Sequence, residues 1–127
     1  MLKEALALAR RRVVSAFFYS LEGFNAAWHS EEAIKVEIAL LPVFLGLALY
    51  LKDDGVSRAL LIGVLLLVVI VELLNTAIEK LADFVHPDYH LKIGIIKDIS
   101  AGAAVFAAFV AIIIGGIIYL PKILQFF

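Results

Sequence analysis

The feature that most constrains the fold of this chain is its longest uncharged stretch, the 22 residues from Ile99 to Leu120. About 20 apolar residues in a helix cross the hydrocarbon core of a bilayer. Two shorter uncharged stretches, Ile38 to Leu51 and Ala59 to Val71, reach that length when polar residues at their ends are included. Hydrophobic residues make up 64% of the chain, against about 45–50% in soluble domains. The sequence therefore predicts an all-α membrane protein.

The 127 residues leave room for a single domain with one surface helix and three spans. We predict the surface helix over residues 1–30 and the spans over 33–51, 58–85 and 98–120. Polar turns at Lys52–Gly55 and Val85–Asp88 separate the spans. In the surface helix, apolar residues recur every three or four positions, as in a helix lying on a membrane. A soluble amphipathic helix shows the same pattern.

Composition and charge exclude several classes of function. The absence of cysteine excludes a disulfide framework, a zinc–thiolate site and thiol catalysis. A net charge of −1 gives no electrostatic case for a nucleic-acid partner. The sequence contains neither a Walker A motif nor a Gly-x-Gly-x-x-Gly motif, so it lacks the common glycine-rich loops that bind nucleotide phosphates.

The distribution of lysine and arginine predicts the orientation of the chain. Three spans place most of these residues, including Arg10, Arg11 and Arg12, on the same side as the N-terminus. The positive-inside rule then puts the N-terminus in the cytoplasm. We expect a multi-pass protein of the bacterial cytoplasmic (inner) membrane.

One face of the second span is polar. Glu72, Asn75, Thr76, Glu79 and Asp83 follow helical spacing, so they share this face. Glu72 is expected about 10 Å inside the cytoplasmic boundary of the hydrocarbon, where a carboxylate is costly. Two interpretations stay open for this face: polar contacts between helices, or a reaction or ion site.

Two further patterns concern the packing and depth of the spans. Glu31, Glu79 and Asp98 are each expected about 30 Å from the outer surface, at one level. Any three-span protein carries charges where its helices leave the lipid, so this coincidence is weak support for a site. Small residues recur along the third span, which predicts a packing seam within the chain, in an oligomer, or both. They are Ala101, Ala104, Ala108, Ala111 and Gly115.

The segment Val71–Glu79 resembles the signature of the prokaryotic diacylglycerol kinase family, small integral-membrane lipid kinases that include undecaprenol kinases. Further matches follow in register from about Arg12 to Ala104. They are Tyr19-Ser20, Gly23, Ala26-Ala27-Trp28, Glu31, Glu37, Asp83, Tyr89-His90 and Lys97-Asp98. Ala26-Ala27-Trp28 and Tyr89-His90 favour the diacylglycerol branch. Ser15, Glu22 and Ala101 depart from the close relatives.

The resemblance implies an ATP- and Mg²⁺-dependent diacylglycerol kinase that forms phosphatidic acid in phospholipid metabolism. It also implies a homotrimeric bundle whose active sites are shared between neighbouring subunits. ATP is the co-substrate, diacylglycerol is the lipid partner and Mg²⁺ is the cofactor.

The resemblance also assigns site residues. Glu72 is the general base, assisted by Asn75, and Glu31 and Glu79 are magnesium ligands. The nucleotide contacts are Arg12, Tyr19, Glu31, Glu79, Asp88, Tyr89, His90, Lys97 and Asp98. The lipid contacts are Arg12, Ser20, Asn25, Trp28, Glu72 and Ala101. His29 and His86 receive no role.

Several alternatives remain at this stage. Residue type alone also fits roles outside a binding site. Lys97 equally fits a lysine whose ammonium group extends to the membrane boundary, and Trp28 fits an aromatic anchor at the membrane interface. The chain as a whole fits an undecaprenol kinase of the same family. It fits less well a small ion or proton carrier or a helical scaffold subunit. The carrier is disfavoured because Ala59–Ile70 offers no polar group for a conduit.

Overall fold

The computed structural model describes residues 1–51 and 54–125, and this part of the chain is all-helical. The four helices are α1 (Leu2–Ser30), α2 (Glu32–Tyr50), α3 (Gly55–Val85) and α4 (Leu91–Leu124). They form two compact units. The N-terminal unit is Met1–Glu32, and the second unit, the bundle, begins at Ala33 and contains the remaining helices.

The N-terminal unit consists of α1, which is one continuous helix. It ends where Glu31 adopts an extended backbone conformation, with φ −124° and ψ 121°, while the Glu31 N–H still donates to the Ala27 carbonyl. Its large apolar side chains, such as Leu6, Val13 and Phe17, are exposed. The helix predicted over residues 1–30 is therefore present, and its placement on a membrane surface stays a prediction.

Helices α2, α3 and α4 are each long and apolar enough to cross a membrane. They contain 19, 31 and 34 residues, or about 29, 47 and 51 Å of helix at 1.5 Å per residue. Large apolar side chains stay exposed, as Val105, Ile112 and Ile117 on α4 do. Exposed apolar surface of this kind suits contact with lipid or with another subunit.

Helices α3 and α4 begin earlier than the predicted spans because local capping, in addition to hydropathy, fixes where these helices start. Asp54 caps α3: its Oδ1 accepts from the Val56 and Ser57 N–H groups at 2.9 and 3.0 Å. His90 caps α4 by accepting from the Lys92 N–H at 3.2 Å. Helix α4 thus begins at Leu91, ahead of the predicted span at 98–120. Of the first predicted turn, Lys52 and Asp53 lie outside the described residues.

A cluster of buried apolar side chains lies at one end of the bundle, which we call the apolar end. Ala48 of α2, Leu61 of α3 and Tyr119 of α4 are buried together, and Phe44 and Leu65 pack against them. The Tyr119 hydroxyl donates to the Phe44 carbonyl at 3.4 Å. This contact joins the end of α2 to the end of α4. Asn75 lies about 21 Å further along α3, so the polar groups described next lie toward the opposite end of the bundle.

Candidate active site

Three side chains, Ser100 of α4 and Asn75 and Glu79 of α3, form a hydrogen-bonded row. We call the part of the bundle that contains this row the polar end. The Ser100 hydroxyl lies 2.6 Å from Asn75 Oδ1, to which it donates. The Asn75 amide nitrogen donates to Glu79 Oε1 at 3.3 Å. Asn75 and Ser100 are 8% and 6% exposed, and buried polar groups of this kind require partners. Asn75 therefore uses its acceptor toward α4 and its donor toward Glu79.

Lys97 and Asp83 extend the polar end beyond this row. The Lys97 ammonium group lies 2.8 Å from Asp83 Oδ1. The Lys97 carbonyl lies 2.9 Å from the Ser100 hydroxyl, so the two links between α3 and α4 are adjacent. The ion pair is largely exposed, and such pairs contribute about 0–1 kcal/mol. Lys97 is thus positioned by an ion pair with Asp83 that contributes little to stability.

A cavity of about 270 Å³ lies beside the row. We call it the polar cavity because two carboxylates and an amide line it, together with small apolar side chains. It is lined by Glu37, Glu72, Asn75, Ala101, Ala104, Val105 and Ala108. Glu72, Asn75 and Ala101, which the sequence predicts as site residues, are therefore brought together. The cavity places two carboxylates, Glu37 from α2 and Glu72 from α3, beside small side chains of α4. The small residues leave room for this cavity within the chain, and a packing seam between subunits stays a prediction.

An apolar cavity of about 450 Å³ adjoins the polar one and shares Glu37 and Ala108 with it. Its other lining residues are Leu40, Phe44, Leu61, Leu65, Val68, Ala111 and Ile112. The cavity runs along α3 toward the apolar end. Hydrocarbon is the ligand chemistry that such a lining favours.

The connection between α3 and α4 forms a third cavity, of about 220 Å³. Four residues predicted to contact nucleotide line it: Asp88, Tyr89, His90 and Lys97. Asp83 and His86 also line it. His86 Nδ1 lies 2.9 Å from the Asp88 carbonyl, and the His86 and His90 ring centroids are 5.1 Å apart. Asp98 is exposed and lines none of these three cavities.

Six predicted site residues belong to the N-terminal unit. They are Arg12, Tyr19, Ser20, Asn25, Trp28 and Glu31. Within that unit, the Ser20 hydroxyl donates to the Ala16 carbonyl at 2.8 Å, and the rings of Phe24 and Trp28 are 6.2 Å apart. The pairing of Glu31 with Glu79 around a metal stays a prediction.

The donor chemistry of the polar end fits magnesium. Mg²⁺ takes oxygen ligands, keeps several waters and is usually bound through one or two carboxylates together with substrate phosphates. Glu79 supplies a carboxylate, and Asn75 holds one of its oxygens. Within residues 1–51 and 54–125, no group of three or more acidic, histidine or cysteine side chains is close enough to enclose an ion.

Several residues of the site were missed by the sequence reasoning. Ser100 was given no role, although it is a hydroxyl within the longest uncharged stretch. Glu37 was matched to the family but given no role, although it is a carboxylate at the start of an apolar run. Asp83 was likewise left without a role, and His86 was set aside. Their roles depend on how the helices face each other, which spacing along one helix does not reveal.

Comparison with known proteins shows which family the chain resembles. The family described as prokaryotic diacylglycerol kinase matches residues 18–119. The diacylglycerol kinase of Escherichia coli (strain K12) is 38% identical over 102 residues, which are 80% of this chain and 84% of that protein. The diacylglycerol kinase of Pseudomonas aeruginosa is 40% identical over 93 residues, covering 73% and 76% of the two chains. The Synechocystis diacylglycerol kinase is 34% identical over 124 residues, covering 97% of this chain and 70% of that protein.

The matched range contains the whole hydrogen-bonded row and all the residues that line the three cavities. It also covers more than half of the chain, and each of these relatives is matched over more than two thirds of its length. The chain therefore belongs to the prokaryotic diacylglycerol kinase family of enzymes.

Proposed function

We propose that this enzyme transfers the γ-phosphoryl group of ATP, with Mg²⁺, to the free hydroxyl of diacylglycerol and so forms phosphatidic acid. The observation that carries the proposal is the order of chemistry along α3. An apolar cavity adjoins a cavity containing Glu72 and Asn75, and Asn75 in turn contacts Glu79. The names of the relatives supply diacylglycerol as the substrate.

Glu72 acts as the general base in this proposal. Its carboxylate accepts the proton of the lipid hydroxyl as that oxygen attacks the γ-phosphorus. The new O–P bond forms while the bond from the γ-phosphorus to the β–γ bridging oxygen breaks, and ADP leaves. Transfer is direct, so no phosphorylated enzyme forms. Asn75, which lines the same cavity, orients the reacting groups.

Glu79 and Glu31 are the proposed magnesium ligands. The ion neutralises charge on the phosphates during transfer. Asn75 already donates to one oxygen of Glu79, which orients the carboxylate before nucleotide binds.

The other nucleotide contacts are proposed from the connection between α3 and α4 and from α1. Lys97 would exchange its exposed partner Asp83 for a phosphate oxygen, at little cost because exposed ion pairs are weak. The remaining contacts are Asp88, Tyr89, His90 and Asp98 from the bundle and Arg12 and Tyr19 from α1.

The lipid occupies the apolar side of the site. One acyl chain lies in the cavity lined by Leu61, Leu65 and Val68, and the hydroxyl reaches Glu72. Arg12, Ser20, Asn25, Trp28 and Ala101 are the proposed contacts of the glycerol and headgroup region. We further propose a homotrimer with shared sites in the bacterial cytoplasmic membrane, with a cytoplasmic N-terminus.

A lipid panel on purified, detergent-solubilised protein tests the substrate. Diacylglycerol and undecaprenol are supplied in matched mixed micelles with labelled ATP and Mg²⁺. We expect phosphorylated diacylglycerol as the dominant product. A clear preference for undecaprenol would overturn the substrate assignment, and cation or proton flux in liposomes without lipid phosphorylation would overturn the kinase assignment.

A further inference from the structure

We infer that Ser100 is a positioning residue for metal binding: its hydroxyl fixes the orientation of the Asn75 carboxamide, which in turn holds Glu79 ready for Mg²⁺. The inference rests on the proposed role of Glu79 as a magnesium ligand. Nothing in the family match or in the sequence pattern assigns a role to Ser100.

The contact itself is short and shielded from water. Ser100 Oγ lies 2.6 Å from Asn75 Oδ1, and both residues are more than nine-tenths buried. Ser100 belongs to α4, whereas Asn75 and Glu79 belong to α3. A hydroxyl on one helix therefore acts on the carboxylate of another through a single amide group.

The asymmetry of the carboxamide explains why the hydroxyl matters. Asparagine has an acceptor on one side and a donor on the other. In the observed orientation, the oxygen of Asn75 faces Ser100 and its NH₂ group faces Glu79 Oε1 at 3.3 Å. The reverse orientation would place the Asn75 oxygen against a carboxylate oxygen, with no proton between two acceptors.

The Ser100 proton has a second acceptor, the Lys97 carbonyl at 2.9 Å. A hydroxyl carries one proton, so it donates to one of the two acceptors at a time. When the proton points to Asn75, the observed amide orientation is favoured. Removal of the hydroxyl leaves the buried Asn75 oxygen without this donor, and the amide is then free to rotate away from Glu79.

A purely structural role for Ser100 makes a different prediction. Polar contacts between membrane helices commonly contribute packing alone. Loss of such a contact would lower thermal stability but leave the metal dependence unchanged. Partners of metal-ligating carboxylates typically change metal affinity by about 10–100-fold when removed. Because Ser100 acts through Asn75, we expect a smaller change of about 3–10-fold.

The decisive comparison is Ser100→Thr against Ser100→Val, because these side chains have nearly the same shape and differ by one hydroxyl. Binding of Mn²⁺ to the purified full-length protein, with a non-hydrolysable ATP analogue present, is followed by electron paramagnetic resonance. The Mg²⁺ concentration for half-maximal kinase activity and the melting temperature are measured on the same samples. Ser57→Ala, which removes an exposed hydroxyl at the start of α3, is the matched control.

We expect Ser100→Val and Ser100→Ala to raise two quantities about 3–10-fold: the Mn²⁺ concentration for half-maximal binding and the Mg²⁺ concentration for half-maximal kinase activity. Ser100→Thr and Ser57→Ala should stay within about 2-fold of the parent protein. Equal metal binding by the Thr and Val variants would overturn the inference, whatever their melting temperatures.

Glu79→Gln separates failure of this inference from failure of the proposed function. If Glu79→Gln weakens Mn²⁺ binding while Ser100→Val does not, only the role of Ser100 is lost. If Glu79→Gln leaves Mn²⁺ binding and the Mg²⁺ dependence unchanged, the metal assignment under the proposed function is itself wrong, and the inference falls with it.

Discussion

The two ends of the bundle are built from opposite kinds of interaction. At the apolar end, Ala48, Leu61 and Tyr119 are buried against one another. At the polar end, Ser100, Asn75 and Glu79 are joined by hydrogen bonds, and Lys97 pairs with Asp83. Under the proposed function, stability and chemistry are therefore largely separated along the same three helices. Changes at one end should therefore leave the property of the other end largely intact.

The largest expected effect is on catalysis at the polar end. Glu72→Gln removes the base while keeping nearly the same shape, and general-base catalysis contributes about 10²–10⁴-fold to rate. We expect diacylglycerol phosphorylation to fall by about that factor, with the melting temperature nearly unchanged. The measurement is transfer from labelled ATP in mixed micelles. Glu4→Gln, on an exposed carboxylate of α1, is the control, and full activity of Glu72→Gln would refute the assignment.

The next effect is on stability at the apolar end. Leu61 is 2% exposed, and truncation of a buried leucine to alanine costs about 2–5 kcal/mol. We expect Leu61→Ala to lower the melting temperature strongly. Because Leu61 also lines the proposed acyl cavity, turnover is measured with short-chain diacylglycerol, for which the folded fraction should stay near the parent value. Leu60→Ala, at the neighbouring position that is 52% exposed, should change little. A large loss of turnover without loss of stability would show that the two ends are not separable.

A smaller effect is expected where the two ends meet. Ala111 lines the apolar cavity and does not line the polar one. In Ala111→Phe, the ring would occupy space proposed for an acyl chain, and overpacking of this kind costs about 1–3 kcal/mol. We expect kcat/KM for long-chain diacylglycerol to fall about 10-fold, with short-chain substrates less affected. Exposed Ala103→Phe is the control. Equal losses for all chain lengths would argue against an acyl site here.

The smallest effect concerns the cap of α3, near the apolar end. Hydrogen bonds from the Ser57 hydroxyl and N–H, and from the Val56 N–H, lower the pKa of Asp54 from its ordinary value of 3.8. Because the folded pKa lies below the unfolded one, the charged cap stabilises the fold above about pH 4 and loses this contribution as pH falls through the folded pKa. Asp54→Asn keeps a capping side chain without the titration.

Melting temperatures of the parent and Asp54→Asn between pH 7 and pH 3 check this effect. We expect a small advantage of the parent at neutral pH that disappears on acidification. An advantage that grows toward pH 3 would mean that the sign of the linkage is wrong. Kinase activity at pH 7 should be the same in both proteins, because Asp54 is remote from the polar end.

Much of the fold follows from periodicity and hydropathy. An uncharged stretch as long as Ile99–Leu120 leaves few choices other than a membrane-crossing helix. Among the residues that the structure describes, three helices are long and apolar enough to cross a membrane. The starts of α3 and α4 were less accessible to this reasoning. The two starts depend on capping by Asp54 and His90. Each side chain caps its helix only because the local backbone conformation brings the first N–H groups within hydrogen-bonding distance.

The site was predictable along one helix and less so between helices. Helical spacing alone puts Glu72, Asn75 and Glu79 on one face. In the structure, Asn75 contacts Glu79 and lines one cavity with Glu72, while the catalytic roles of these residues stay predictions. The partnership of Asn75 with Ser100 depends on the rotation of α4 about its own axis, which the uncharged stretch from Ile99 to Leu120 leaves open. The same reason applies to Glu37, whose position beside Glu72 depends on how α2 packs.

The central claim is that the Glu72 carboxylate lies between a lipid hydroxyl and Mg-ATP. The most direct test is a structure of the full-length protein with diacylglycerol, Mg²⁺ and a non-hydrolysable ATP analogue. We predict the free hydroxyl oxygen at about 2.6–3.2 Å from a Glu72 carboxylate oxygen, with the γ-phosphate on its far side and Mg²⁺ at Glu79. A hydroxyl bound away from Glu72, or nucleotide phosphates remote from Glu79, would contradict the account.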